Sequence, residues 1–139
     1  MIWLLWLALF QTADEPILWV VPRVTPSEIK LEAKILKGWH LYSITQKQGG
    51  PIPTLIHIPS DQAFELSSGI DSSAPEIHHD ESFDMDVEQH EGQAEFTLPI
   101  RLRKDAKSTG QVQIRIRFQT CSGQLCLPPK TVTVIAKLP

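Results

Sequence analysis

The sequence predicts an all-β fold, an antiparallel β-sandwich of immunoglobulin-like type. Apolar and polar residues alternate in several segments, and turn formers are frequent, with 11 prolines and 7 glycines. No window shows the period of an amphipathic helix. The 139 residues, 42% of them hydrophobic, suit a single core, and we expect one domain over residues 14–139.

The chain begins with an apolar run over residues 2–10, followed by the small and polar Gln11, Thr12 and Ala13. This pattern is typical of a secretory signal, which we predict to span residues 1–13 and to be cleaved near Ala13. The run is roughly half of the ~20 residues that a membrane-spanning helix requires. The sequence therefore favours an exported protein over a membrane-anchored one.

Period-two alternation marks the candidate strands that follow. Four segments show it clearly, and four shorter segments are further candidates: residues 28–36, 94–103, 111–118 and 131–136, then 18–21, 39–43, 54–58 and 63–66. In the second segment Leu102 is expected to face the core, and Pro99 suggests an edge strand or a bulge. The outward side chains expected to form a solvated face are Arg101, Arg103, Arg115 and Arg117.

Residues 67–93 interrupt this pattern with a long, polar and acidic stretch that has a lone Phe83 in its middle. Loops of this length in a compact domain are usually functional or mobile, and we expect a loop here. The net charge of -3, with no basic run, gives no electrostatic basis for binding nucleic acid. We likewise expect no lipid binding beyond the signal segment.

Cys121 and Cys126 are the only cysteines, and they lie in "FQTCSGQLCLPP", residues 118–129. Three roles are open: a structural staple, part of a metal site, or a redox dithiol. Closing so small a ring stabilises by roughly 2 kcal/mol, against ~3 kcal/mol for a fifteen-residue loop. Structural disulfides of immunoglobulin-type domains instead join the two sheets across a large sequence separation. The pair is therefore a poor staple.

A metal site, such as that of a copper-handling protein, is less favoured. The five histidines are scattered, apart from His78 and His79, which on an extended chain point to opposite faces. A redox dithiol fits the flexible turn between the cysteines. No helix N-terminus is predicted there to activate a thiolate, which suits a passive carrier better than a general oxidase.

Several motifs together resemble the N-terminal periplasmic domain of the thiol:disulfide interchange protein DsbD, over residues 17–137. They are "GWHLYS" with "GGPIPT", "HHDESF" with "FTLPI", and the cysteine segment. The resemblance implies a periplasmic immunoglobulin-like sandwich that needs no cofactor or metal. Its dithiol would take electrons from a membrane-embedded thiol reductase domain and pass them to thioredoxin-like periplasmic proteins, as a component of a protein-disulfide reductase.

The resemblance also implies the site residues. Cys121 and Cys126 would be the redox pair, and Phe83 the aromatic ring of a cap loop that shields it. Asp80 and Glu81 match an acidic pair beside that ring, where they would keep the reduced thiols protonated until a partner docks. The aromatic or polar neighbours of the pair would be His40 and Tyr42.

This sequence departs from the family pattern in two places. Four residues separate the cysteines where some members have five, and Ser82 separates Glu81 from Phe83. Full-length members continue into a transmembrane conduit and a thioredoxin-like domain, whereas this chain ends at Pro139. The donor is then expected on a separate polypeptide, or the chain is a truncated product. The alternative is a non-catalytic immunoglobulin-like binding module with a local structural disulfide.

Overall fold

The computed structural model describes residues 15–139, and the predicted signal peptide lies outside them. The described chain forms twelve β-strands. None of the described residues forms a helix that could cross a membrane. The strands are β1 (Ile17–Thr25), β2 (Glu28–Ile35), β3 (Trp39–Tyr42), β4 (Leu55–His57), β5 (Phe64–Leu66), β6 (Asp71–Ser72), β7 (Glu76–Asp80), β8 (Met85–His90), β9 (Gln93–Leu102), β10 (Gln111–Phe118), β11 (Thr120–Ser122) and β12 (Lys130–Lys137).

Two antiparallel sheets supply most of the main core, and Leu41 of β3 also belongs to it. One has the order β1-β2-β9-β5, with β6 also paired to β9, and the other has the order β12-β10-β4. In β2 and β10 every second residue is buried, because successive side chains of a strand point to opposite faces. The main core includes the fully buried Ile29, Leu31, Phe96, Leu98, Ile114 and Ile116.

The immunoglobulin-like, all-β prediction is confirmed: the described residues form antiparallel sheets around a core built from their alternating apolar side chains. The longest predicted strands match β2, β9, β10 and β12 closely. The first strand is longer than predicted, because its irregular pairing with β2 between Val20 and Arg23 allows it to continue past Pro22 to Thr25.

A third sheet, with the order β11-β3-β8-β7, carries the cysteine segment. Its own small cluster of buried residues consists of Tyr42, Val87 and Cys121, with the partly buried Met85 packed against them. We call these four residues the site cluster. It is separate from the main core, so the cysteine segment does not fill the centre of the sandwich.

The prediction of one long loop over residues 67–93 is wrong. This stretch contains β6 and a β-hairpin, in which β7 pairs with β8 from Glu76↔Gln89 to Asp80↔Met85. The segment resembles a loop in sequence because every residue of β7 is polar except Ile77, which is itself exposed. An edge strand with both faces near solvent carries no apolar alternation that could reveal it.

The expectations for the end of β9 are also corrected. Pro99 lies in the central strand of its sheet and opposite the gap between β5 and β6, where its carbonyl accepts the amide of Ser67. The amide that proline lacks would face that same gap, so no ladder bond is lost. Past this point Leu102 is 42% exposed, and Arg103 is half-buried because its Nε donates to the carbonyl of Gln62. Arg101, Arg115 and Arg117 are exposed as expected.

Candidate redox site

The third sheet places the predicted site residues in rows across one face. Residues directly opposite each other on paired strands share a face, so the register defines the rows. Cys121 of β11 lies opposite His40 of β3. The next rows toward the hairpin tip are Tyr42 with Gln89 and Glu76, then Val87 with His78, then Met85 with Asp80.

Cys121 and Cys126 form a disulfide across a tight turn, with their Cα atoms 4.0 Å apart. The turn is also held by backbone hydrogen bonds: the amide of Ser122 donates to the carbonyl of Leu125 at 2.8 Å, and that of Leu127 to Thr120 at 2.9 Å. The Ser122 hydroxyl oxygen accepts the amide of Leu125 at 3.2 Å. The turn therefore has its own hydrogen-bonded frame in addition to the covalent bond.

The two cysteines differ in their access to solvent. Cys121 is 3% exposed and belongs to the site cluster, whereas Cys126 is exposed. Thiol-disulfide exchange requires a thiolate to approach one sulfur of the disulfide. On this geometry Cys126 offers the more accessible sulfur.

The hairpin of β7 and β8 ends in a four-residue tip, residues 81–84, and we call strands and tip together the cap hairpin. The carboxylate of Asp80 accepts the amides of Ser82 and Phe83 at 2.8 and 3.2 Å, which fixes the turn. Asp84 has a φ of 49°, a left-handed conformation that aspartate tolerates better than most residues. The local sequence thus fixes the position of Phe83 at the tip.

Gly50 packs closely against two side chains of the cap hairpin, Phe83 and Met85. A Cβ atom at this position would lie 2.5 Å from Met85 Sδ and 3.4 Å from Phe83 Cγ. This glycine of the "GGPIPT" motif therefore allows the backbone to approach both cap side chains closely. The partly buried Phe83 rests on this loop on one side and lines a cleft on the other.

This redox cleft has a volume of about 500 Å³, and the cap hairpin, β3 and the cysteine turn form its walls. It brings together every residue that the sequence nominated; whether each has the expected role stays a prediction. The nominated residues in its lining are His40, Tyr42, Asp80, Glu81, Phe83, Cys121 and Cys126. The same lining, taken over the described residues, contains no Lys or Arg.

Tyr42 is 2% exposed, and its burial and the nearby carboxylate of Asp80 raise its pKa to about 12. Burial is the larger cause, because it removes water from around the charged phenolate. The backbone is fixed as well, since the hydroxyl of Thr54 donates to the Tyr42 carbonyl. Tyr42 is therefore a neutral and well-ordered wall of the cleft at ordinary pH.

Sequence reasoning missed Glu91, the residue after β8. Its Oε1 lies 3.0 Å from Nδ1 of His40, although the oxygen is outside the direction that a hydrogen bond from the ring requires. The contact is therefore an electrostatic pair whenever His40 is protonated. Only the pairing of β3 with β8 brings His40 and Glu91 together, and no local sequence motif predicts this contact.

His90 faces away from the cleft, and its ring packs edge-on against Phe96 of the main core at 6.0 Å between ring centres. Its burial lowers its pKa, and the nearby Glu88 opposes this effect. Within residues 15–139, no three His, Cys, Asp or Glu side chains form a group that could hold a metal ion.

Comparison with known proteins identifies relatives of this fold and sequence. The family model described as thiol:disulfide interchange protein DsbD, N-terminal, matches residues 10–138. No curated protein has a significantly similar sequence. The N-terminal domain of Neisseria meningitidis DsbD in its reduced form is 14% identical, with a TM-score of 0.61, over 87% of this chain and 83% of that one.

A second similar structure is the N-terminal periplasmic domain of ScsB from Proteus mirabilis. It is 16% identical, with a TM-score of 0.51, and the match covers 79% of this chain but only 40% of that one. At these identities the two structures support the sandwich fold, whereas the family model covers nearly the whole described chain.

Proposed function

The chain belongs to the family of DsbD N-terminal domains, and from this premise we propose that it is a periplasmic redox carrier acting through Cys121 and Cys126. Membership and the disulfide support thiol-disulfide exchange at the level of the family. Electrons would arrive from a membrane-embedded thiol reductase domain and leave to thioredoxin-like periplasmic proteins. The description of the similar ScsB domain as periplasmic supports the compartment.

The observation that carries this proposal is the unequal exposure of the two cysteines in one cleft. In the oxidised carrier, a donor thiolate attacks Cys126 Sγ, the Cys121–Cys126 bond breaks, and Cys121 leaves with the bonding electron pair. The donor's second thiolate then attacks the sulfur of the donor's first cysteine in the mixed disulfide, and Cys126 is released as a thiolate. The donor is oxidised by two electrons, and the carrier holds two thiols.

In the second half-reaction the reduced carrier passes the two electrons on. The Cys126 thiolate attacks a sulfur of the acceptor disulfide and forms a mixed disulfide, which Cys121 resolves by attacking Cys126 Sγ. The carrier disulfide re-forms, and the acceptor is released with two thiols. Cys126 thus makes every bond to a partner, whereas Cys121 bonds only to Cys126, as its burial requires.

The cap hairpin would control access to this exchange. Phe83 and Cys126 line the same cleft, and the turn bearing Phe83 is fixed by Asp80. A partner must bring its sulfur into the cleft, so we propose that docking displaces Phe83. The carboxylates of Asp80 and Glu81, without Lys or Arg among the described residues of the lining, disfavour thiolates until then.

The binding-module alternative needs the disulfide as a structural bond. Two backbone hydrogen bonds and the Ser122 hydroxyl already close the same turn, and the ring is small. The covalent bond therefore adds little to the architecture that the hydrogen bonds do not supply. This favours a working dithiol over a staple.

Trapping in the native envelope tests the proposal. A Cys121→Ala variant keeps Cys126 but lacks the thiol that releases the acceptor, so it should accumulate disulfide-linked complexes with thioredoxin-like proteins. Non-reducing electrophoresis followed by mass spectrometry of the linked bands identifies the partners.

The matched control is Cys126→Ala, which leaves the buried Cys121 and should trap far less. Equal trapping by both variants would contradict the assignment of Cys126 as the partner-binding cysteine. If neither variant traps a partner, and the wild-type disulfide also resists reduction at potentials down to about -300 mV, the pair is a structural bond and the binding module is correct.

A further inference from the structure

We propose that His40 is the base that takes the proton from the Cys121 thiol when the disulfide re-forms, and that the carboxylate of Glu91 stabilises the imidazolium that results. The inference rests on the proposed exchange through the cysteine pair. It assigns a proton-transfer role to a row of residues across the third sheet.

The geometry begins with the pairing of β11 and β3, in which Cys121 lies directly opposite His40. Side chains at such positions have Cβ atoms about 4.5–5.5 Å apart and project from the same face. Both residues line the redox cleft. The imidazole therefore projects from the same face of the sheet as the Cys121 side chain and into the same cleft.

Glu91 sets which nitrogen of the ring is available. Its carboxylate lies 3.0 Å from Nδ1 of His40, a nitrogen that is buried from solvent. Nε2 is then the nitrogen left for proton exchange in the cleft. A carboxylate beside one imidazole nitrogen stabilises the charge that appears when the other takes a proton, although no hydrogen bond joins the two groups here.

The surroundings of Cys121 explain why a base is needed. The residue is 3% exposed and packs with Tyr42 and Val87, an environment that disfavours the charged thiolate. The acidic Asp80 and Glu81 of the cleft disfavour it further, and no helix among the described residues adds a favourable dipole. Cys121 can therefore attack readily only if its proton is removed as it reacts.

In the step itself the Cys121 S–H bond breaks and the proton passes to Nε2 of His40. The Cys121 sulfur attacks Cys126 Sγ, the bond between Cys126 and the acceptor breaks, and the acceptor sulfur leaves with the electron pair. The imidazolium beside Glu91 then gives its proton to the leaving thiolate or to solvent. In the reverse direction the same proton returns to Cys121 as it leaves the disulfide.

Other titratable groups line the cleft, but each is less suited than His40 to act as the base for Cys121. His78 and His79 lie on the exposed strand β7 and already have carboxylate partners. His78 pairs with Glu76 at 3.0 Å, and His79 lies 3.3 Å from Asp86 of β8. The raised pKa of Tyr42 keeps its phenol protonated. Among residues 15–139, the titratable groups that line the cleft with His40 or contact it are Cys121 and Cys126 from the cysteine turn, Tyr42 from β3, Glu91 after β8, and His78, His79, Asp80 and Glu81 from the cap hairpin.

A two-phase thiol reaction tests the role of His40. The reduced protein is mixed with dithiobis(nitrobenzoate), whose first thiolate is released when Cys126 attacks and whose second is released when Cys121 resolves the mixed disulfide. In His40→Gln the first phase should be unchanged, and the concentration-independent second phase should slow by at least about tenfold, since a positioned base contributes at least that much.

The pH profile separates a base from a packing residue. If His40 is a base, the second phase should accelerate at a lower pH in the wild type than in His40→Gln, where it should accelerate only in the range in which the thiol ionises unaided. In Glu91→Gln the second phase should slow and the first should be unchanged, because the imidazolium that forms in the step loses its neighbouring carboxylate. His57→Gln, on the opposite sheet, is the matched control and should leave both phases unchanged.

The outcomes distinguish the inference from the proposed function. A wild-type protein that never shows the second phase would overturn the redox proposal, and with it this inference. A second phase in the wild type that His40→Gln and Glu91→Gln leave unchanged in rate and pH profile would overturn the role of His40 alone. Because Glu91 is half-exposed, Glu91→Gln keeps the test decisive even if His40→Gln does not fold.

Discussion

The main core and the site cluster differ in size and in chemistry. The main core is built from apolar side chains, most of them from two sheets, and the buried ring of His90 packs against it. The site cluster lies on a third sheet and combines Val87 and Met85 with a phenol and a reactive sulfur. Burial in the main core stabilises the fold, whereas burial in the site cluster sets the protonation of Tyr42 and the protection of Cys121.

This division would allow the proposed redox pair to open and close without destabilising the rest of the domain. The disulfide closes a local turn on one sheet and does not cross the sandwich. Opening it should free only the short segment between the cysteines, because backbone hydrogen bonds also close this turn. A carrier that must be oxidised and reduced repeatedly needs this independence.

The largest expected effect tests whether the two regions contribute unequally to stability. Phe96→Ala empties a fully buried position in the main core and should lower the free energy of unfolding by about 3–5 kcal/mol. Cys121→Ala removes the disulfide and should cost roughly 2 kcal/mol, leaving the protein folded. Urea unfolding followed by tryptophan fluorescence measures both, since Trp19 packs against Phe96 at 6.0 Å.

The reduced wild type is the control for the covalent term, because it loses the bond but keeps every side-chain atom. It should unfold with a free energy close to that of Cys121→Ala. A Cys121→Ala protein that is unfolded, or as destabilised as Phe96→Ala, would show that the site cluster is part of the structural core.

The sequence predicted the main core far better than the third sheet. In β2, β9 and β10 the alternation is strong because one face of each strand is wholly buried. The cap hairpin has no such contrast: its edge strand is exposed on both faces, so composition suggested a loop. The gap between β5 and β6 beside Pro99 could not be predicted from the sequence either, since it depends on where these two strands end.

The site could be nominated from motifs, but its internal geometry could not. Every nominated residue lies around one cleft, because the motif residues sit at short intervals on strands that pair. Glu91 lies 51 positions after His40, and only the register of two strands makes them neighbours. The unequal exposure of the cysteines also follows from the packing of the site cluster, which a four-residue spacing does not reveal.

An intermediate effect sharpens the contrast in chemistry. The pKa of Tyr42 is raised to about 12 in the folded protein, from 10.0 for an unperturbed phenol, by burial and by Asp80. The unfolded chain therefore loses this proton first, and stability should fall as the pH rises between these two values, by on the order of 2 kcal/mol in total. Below that window Tyr42 is protonated in both the folded and the unfolded state, so it adds no pH dependence to the free energy of unfolding. Tyr42 is the only tyrosine, so tyrosinate absorbance reports its ionisation directly.

Tyr42→Phe is the control, and its unfolding free energy should fall less than that of the wild type between about pH 9 and pH 11.5. Lysines and the remaining groups contribute equally to both proteins, so the difference isolates Tyr42. A tyrosinate signal that appears at the ordinary pKa in the folded protein would mean that the site cluster admits water.

The smallest effect on stability should come from Gly50→Ala, and it separates protection of the sulfurs from stability of the fold. The new Cβ would lie 2.5 Å from Met85 Sδ and 3.4 Å from Phe83 Cγ, so the cap side chains must move. Met85 is flexible and partly buried, so the unfolding free energy should change by less than about 1 kcal/mol. If Phe83 shields the disulfide, dithiothreitol should reduce the variant a few-fold faster than the wild type, as measured by thiol alkylation and mass spectrometry.

Gly69→Ala is the matched control, because its Cβ would meet no atom within 4 Å, and its reduction rate should stay at the wild-type value. Equal rates in all three proteins would mean that the cap hairpin does not guard Cys126.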